Sequence, residues 1–376
     1  MLDHERQELA KKYARIRQRL LILDLGIGGA YLLAWLVFDW SSTLSTSLKE
    51  FSTNEWFLVA GFAAIFGGVY YLITLPLSLY ESYILPHRFQ LSNQTLKGWV
   101  GDQLKGLLIG GIIGLLIIEI IYALLRATPD TWWLWTGLFL LIFNVILASL
   151  APILLFPLFF KFVPLGADYA ELVQRLTQLA EKAGAHVQGV YKFDMSRRTK
   201  AANAALTGLG NTRRIILGDT LLIEFTLDEI ETVLAHELGH HVHKDIPIGI
   251  LVEAAITMTG LYLASLTMAW GVTTFGFSSI ADVASMPLFG LVLAFYGLLT
   301  MPLINTFSRW REKKADEYAV EVTGKRQAFA SALTRLANQN LADANPEPWI
   351  EYLLYSHPSI SRRIKMVLNG PSDSKH

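Results

Sequence analysis

Five consecutive residues, His236-Glu237-Leu238-Gly239-His240, carry the sharpest chemical signal in the chain. Side chains four apart on a helix share a face, so the two imidazoles can reach one ion. Zinc takes nitrogen ligands of this kind and, in catalytic sites, keeps one position open for water. Glu237, beside the first histidine, projects toward the same side of the ion, where a carboxylate can take a proton from an activated water. The chemistry this implies is metal-assisted hydrolysis, with one Zn2+ per chain. Two histidines do not complete such a site. His241 and His243 point to other faces of the same helix. A better third ligand is Glu312, in Ser308-Arg309-Trp310-Arg311-Glu312-Lys313-Lys314-Ala315-Asp316. Glu312 and Asp316 are one helical turn apart. One carboxylate can bind the ion, and the other can accept the free N–H of a ligating histidine and fix its tautomer. Spacing alone leaves a second reading open, in which Glu312, Lys313 and Asp316 are a solvated charged face.

The helix under the histidines opens at Thr226, with Glu229 three residues on, a capping-box pattern, and should run to about His243. Ahead of it, Ala167 to Ala183 reads as a helix with Leu172, Leu176 and Leu179 on one face and Gly184 as its stop. Strand-like runs follow at Val187–Phe193, Ala204–Leu209 and Arg214–Leu217, the last two separated by a Gly210-Asn211 hairpin turn.

The rest of the chain is unlike a soluble enzyme. Of its 376 residues, 52% are hydrophobic and 17% charged, against roughly 25% charged in a soluble domain; the mean hydropathy is +0.38. Lys and Arg balance Asp and Glu at 32 each, which argues against a nucleic-acid partner. With no cysteine, thiolate nucleophiles and thiolate metal sites are excluded. Six stretches have the roughly 20 apolar residues a bilayer span needs: 18–39, 56–80, 105–126, 132–157, 248–270 and 286–305. Alternate connecting segments hold 30 of the 32 Lys and Arg, and Lys49 and Arg126 are the exceptions. By the positive-inside rule, both termini and the segment 158–247 are cytoplasmic. The expected organisation is four spans in 1–157, a protease segment in 158–247, two spans in 248–305 and a helical tail in 306–376. Asp24, Glu119 and Glu253 fall in or beside spans, where charges usually face a cavity or a partner. Trp132, Trp133 and Trp135 read as interfacial anchors.

At this point the sequence resembles a family, the membrane zinc metallopeptidases that include the CAAX prenyl protease type 1 enzymes and their bacterial relatives. His236-Glu237-Leu238-Gly239-His240 resembles the family's zinc motif. Asn305 through Ser308-Arg309 to Glu312, Ala315 and Asp316 resembles its second motif, and His357-Pro358 with Arg363 its C-terminal one. Asn203-Ala204 ahead of Arg214-Ile215-Ile216-Leu217 resembles the segment lining the substrate cleft. Arg88-Phe89, Asn93-Gln94-Thr95-Leu96 and Asp102-Gln103 resemble a loop between spans, and Ala151-Pro152 through Phe159, Lys161-Phe162 and Pro164-Leu165 the exit into the protease segment.

The resemblance implies that Glu312 is the third zinc ligand. It implies that His357 donates to the developing oxyanion with help from Arg363, and that Asn203 and Ala204 hydrogen-bond an extended substrate. The fold it implies is mainly α: a polytopic membrane protein of about six spans around a chamber, with a cytoplasmic gluzincin-like α+β zinc protease domain. The function implied is a metalloendopeptidase of a bacterial inner membrane acting on a peptide or protein, prenylated or membrane-associated, at the cytoplasmic face. The eukaryotic members have seven spans, so one early span is missing here. Two rival readings are a membrane-protein quality-control protease and a non-catalytic zinc-bound scaffold or transporter; a structural zinc site would leave Glu237 without a use.

Overall fold

A computed structural model describes residues 2–208 and 212–370. Helix α1 (His4–Val37) and the short α2 (Trp40–Phe51) precede α3 (Glu55–Leu79), which continues through a π turn at Tyr80–Ile84 into α4 (Leu85–Arg88). Pro86 lacks the N–H that an unbroken α-helix needs there, and the ladder slips to a wider turn just before it. Helices α5 (Leu96–Ala127), α6 (Trp132–Leu154) and α7 (Phe156–Phe159) complete the N-terminal part. The protease segment holds β1 (Phe162–Pro164), α8 (Ala170–Lys182), β2 (Val190–Phe193), β3 (Ala204–Thr207), β4 (Arg214–Gly218), α9 (Asp219–Glu224) and α10 (Leu227–Val242). Then α11 (Asp245–Phe275) and α12 (Met286–Thr323) recross the membrane, and α13 (Arg326–Gln339), α14 (Pro348–Leu354) and α15 (Ile360–Asn369) follow.

Among the described residues, six helical stretches are long and apolar enough to span a bilayer, as the sequence predicts. Several run well beyond their apolar cores: α1 begins at His4 and α12 ends at Thr323. The spans form a closed ring, in which α1 packs on α3, α3 on α5, α5 on α6, α6 on α11, α11 on α12, and α12 again on α1. Glycines permit close approaches between spans, Gly137 under Met258, Gly260 under Tyr296 and Gly271 under Leu288. A solidly packed bundle would bury the inward stripe of each helix, about a third of its circumference. Here at most 17% of any span's most apolar window is buried, so the ring surrounds a chamber.

One end of the ring is plugged. Tyr31, Trp35, Phe62, Tyr122, Trp132 and Phe289 meet there in an apolar core, and α2 packs over it. Trp132, expected as a lipid-interface anchor, is only 1% exposed and lies edge-on to Phe289 at 5.7 Å; Trp135 is exposed. The intramembrane carboxylates differ in surroundings. Glu253 accepts a hydrogen bond from Asn144 at 3.2 Å, and Asp24 lines a cavity of about 480 Å³ with Arg17 and Glu81. Glu119 is buried, with one oxygen unpartnered among the described residues.

At the opposite end, a four-stranded sheet in the order β1-β2-β4-β3 packs with α8, α10 and α13 around a second core. Leu172, Leu176 and Leu179 enter it as the helical spacing predicts, beside Ile215, Leu217, Leu234, Leu238 and Phe329. Strands β2 and β4 are parallel, while β3 runs antiparallel to β4, Ala204 opposite Leu217. Strand β1 was not legible from the sequence. Strand β2 begins at Val190 rather than Val187, although Gln188 still donates to the Arg213 carbonyl at 2.8 Å ahead of it. The expected Gly210-Asn211 turn lies outside the described residues.

Candidate metal centre

Helix α10 starts as its sequence dictates. Thr226 accepts from the Glu229 amide at 3.3 Å, and Glu229 Oε2 accepts from the Thr226 amide at 2.8 Å. Ser331 and Arg335 of α13 donate to the other Glu229 oxygen at 2.6 and 2.9 Å. The helix is thereby fixed at its first turn, and three turns on it presents His236 and His240 to α12. Gly239 makes the close crossing possible, since a Cβ there would lie 2.8 Å from Ala315 Cα.

That crossing brings Glu312 between the histidines. His236 Nε2 is 3.4 Å from Glu312 Oε2, His240 Nε2 is 3.4 Å from Glu312 Oε1, and the two Nε2 atoms are 3.3 Å apart. Ligand atoms of all three residues lie within 4.8 Å of one another. Glu312 Oε2 is buried and, among the described residues, has no hydrogen-bond partner. A buried carboxylate oxygen left unsatisfied is costly, and a cation at this point would satisfy it. The donor set, two imidazole nitrogens and one carboxylate oxygen, is one that zinc accepts in open catalytic sites. The solvated-face alternative for Glu312 and Asp316 does not apply, because both are buried.

Behind His236, Asp316 Oδ1 is 2.9 Å from Nδ1. Burial works against a charge on His236, but the neighbouring carboxylates of Asp316 and Glu312 outweigh burial and push its pKa up to about 9; a cation held at Nε2 would displace that proton. Arg363, expected to help His357, reaches the site from behind His236. Its Nε and a terminal nitrogen donate to the two Asp316 oxygens at 2.8 and 2.6 Å, and it is buried. Behind His240, Asp245 Oδ2 lies 2.7 Å from Nδ1. Sequence spacing did not suggest Asp245, because it lies beyond the end of α10.

Glu237 is half-buried, and no protein hydrogen bond to its carboxylate is present among the described residues. Burial is the leading influence and raises its pKa above 4.5, opposed by His236 and His240. His357 is exposed, with Nε2 3.3 Å from Glu312 Oε1 and Nδ1 2.9 Å from Ser356 Oγ. The second motif holds it there: Asn305 donates to the Leu353 carbonyl at 2.6 Å, and Arg309 to those of Glu351 and Tyr355 at 3.0 and 2.6 Å. These bonds fasten the C-terminal end of α14, immediately before His357, to α12.

Asn203 is exposed and Ala204 buried at the start of β3. Among the described residues strand β3 pairs with β4 alone and packs beside α10, so it offers an edge near the histidines. Its approach is fixed from two sides. Asn340 brackets the Ala202 backbone, accepting from its amide at 2.9 Å. From the first turns of α5, Asp102 pairs with Arg198 at 2.7 and 2.8 Å, and Gln94, just ahead of that helix, donates to the same carboxylate.

Comparison with known proteins agrees with this architecture. Residues 167–369 match the model of Peptidase family M48, and residues 1–161 match the CAAX prenyl protease N-terminal region, described as five membrane helices. Four long spans and the short α2 occupy that region here. The chain is 28% identical to an uncharacterized metalloprotease, YhfN, of Bacillus subtilis, over 98% of this chain and 87% of that protein. It is 30% identical to CAAX prenyl protease 1 of Saccharomyces cerevisiae, over 78% of this chain and 68% of the yeast protein. The crystal structure of S. mikatae Ste24p superposes with a TM-score of 0.88 at 25% identity, covering 97% of this chain and 90% of that one. The match of the site-bearing half, joined to a membrane region of the matching type, shows that this chain belongs to Peptidase family M48 and is an integral-membrane metallopeptidase.

Proposed function

We propose that the metal is zinc, held by His236, His240 and Glu312, and that the enzyme cleaves a peptide bond near the C-terminus of a prenylated or otherwise membrane-associated substrate at the cytoplasmic face of a bacterial inner membrane. The gathering of the three ligand side chains around an unpartnered buried Glu312 oxygen carries this reading. Zinc, when bound, supplies Lewis-acid polarisation of a water and of the scissile carbonyl.

The chain's own residues do the rest. Glu237 takes a proton from the attacking water and passes it to the leaving amine; its carboxylate, without a protein hydrogen bond among the described residues, is free for both steps. His357 donates a hydrogen bond to the oxyanion as the carbonyl becomes tetrahedral. Asp316 accepts from His236 Nδ1 and sets its tautomer. Arg363 acts through Asp316, neutralising the carboxylate and fixing its plane, and is a positioning residue. Asn203 and Ala204, at the edge of β3, hydrogen-bond an extended substrate by strand addition. Orientation rests on the Lys/Arg asymmetry of the connecting segments, and the substrate class on the likeness to a CAAX prenyl protease.

Glu237→Gln tests the proton path. The variant should keep its zinc, by metal analysis, while cleavage falls by about 10²–10⁴-fold. Cleavage at the parent's rate would rule out Glu237 as the base. A farnesylated C-terminal peptide set against misfolded membrane proteins tests the substrate class. Turnover of only the latter would replace C-terminal processing with quality control.

A further inference from the structure

A histidine ligand needs its second nitrogen held, because a neutral imidazole has one donor and one acceptor and the wrong tautomer cannot bind metal. For His236 that partner, Asp316, comes from the second motif. For His240 it comes from a membrane helix. Asp245 is the first residue of α11, reached through Lys244 in the left-handed region at φ of 56°. This reversal returns the Asp245 carboxylate over the end of α10, where Oδ2 lies 2.7 Å from His240 Nδ1.

The other Asp245 oxygen belongs to Arg311. Arg311 Nε donates to Oδ1 at 2.7 Å, a terminal nitrogen bonds the same oxygen, and that nitrogen also donates to the His243 carbonyl at 2.5 Å. Arg311 is buried, so one guanidinium from α12 clasps both the end of α10 and the start of α11. The His240 side chain is 26% exposed, against 10% for His236. Packing therefore restrains the His240 ring less, and its orientation depends more on this hydrogen bond. Asp245 is not itself placed to ligate: it meets the Nδ1 edge of the ring, while Nε2 faces Glu312.

We propose that Asp245, held by Arg311, is a positioning residue for the metal centre: it accepts the His240 Nδ1–H, leaves Nε2 free to bind, and ties that ligand to the seam between two ring helices. The proposal rests on the reading of His236, His240 and Glu312 as a metal site. It yields a chain Arg311–Asp245–His240 that parallels Arg363–Asp316–His236 on the other ligand.

The test uses the full-length protein in detergent, with zinc affinity measured by chelator competition and ligand geometry read from the visible spectrum of the cobalt-loaded protein. Asp245→Ala should weaken zinc binding by about 10–100-fold and alter the cobalt spectrum. Asp245→Asn, which keeps an acceptor oxygen, should recover most of the affinity. If Asp245→Ala does not fold, Asp245→Ser carries the same test, being compatible with a helix start but too short to reach the ring. Parental zinc affinity and cobalt spectrum in Asp245→Ala or Asp245→Ser, even with a lowered melting temperature, would mean that the pair only straps helices together, and would overturn the proposal. A parent protein that takes up no metal would instead overturn the metal-site reading, and this inference with it.

Discussion

Helix α12 is held at its two ends by different physics. Near its start, Met286, Leu288 and Phe289 are buried in the apolar plug with Phe62, Tyr122 and Trp132. Toward the other end, its buried residues are Arg311, Glu312, Ala315, Asp316 and Ala319. Between these groups no residue of the helix is fully buried. Apolar packing is non-directional, so the plug can close the ring without setting any one atom's position closely. Hydrogen bonds weaken steeply with angle, so the site end sets atomic positions. The plug holds one polar knot of its own, in which Asp282 accepts from Ser45 at 3.0 Å and from Ser278 at 2.6 Å. The two ends therefore divide closure from chemistry, and damage to one should read out differently from damage to the other.

The largest effect is expected at the site end. Gly239→Val places a branched side chain where even a Cβ would come within 2.8 Å of Ala315 Cα. It should push α12 away and carry Glu312 with it. Cleavage should drop by about 10²-fold or more, with zinc content falling alongside, and overpacking should cost about 1–3 kcal/mol. A variant with full zinc and full activity would show that the α10–α12 crossing is looser than the distances imply.

A plug variant should do the reverse. Phe62 is fully buried, and Phe62→Ala should cost about 3–5 kcal/mol, seen as a lower melting temperature in detergent. Zinc content and turnover per folded molecule should stay at the parental level. Loss of zinc from this variant would mean that the two ends are coupled through the ring.

The smallest effect concerns the start of α10. Burial raises the Glu229 pKa, but its bonds to Ser331, Thr226 and Arg335 outweigh that and hold it below 4.5. A carboxyl whose folded pKa is depressed stabilises the protein above its unfolded pKa, and that stability is lost as the pH falls through the folded value. Glu229→Gln should therefore cost about 1.5–3 kcal/mol near neutrality. Paired melts should show the gap to the parent narrowing below pH 4.5. A gap that stays constant with pH would assign the cost to something other than charge.

What could be read along the chain was what depends on near neighbours. The six spans follow from length and apolar content, the capping box at Thr226 from a three-residue spacing, and the shared face of His236 and His240 from the helical turn. Likeness to a family added Glu312, which spacing alone could not separate from a solvated charged face. Other features needed the folded molecule. Trp132 turned inward because the plug offered Phe289, a contact between distant helices. Arg363 was drawn onto Asp316, and Asn305 and Arg309 onto the carbonyls ahead of His357. Asp245 reached His240 only because the chain reverses at Lys244 and Arg311 arrives from α12. Local periodicity is written in adjacent residues and survives in any context. The partner of a buried charge is whichever group the packing of remote helices brings within about 3 Å, and no spacing along the sequence records that choice.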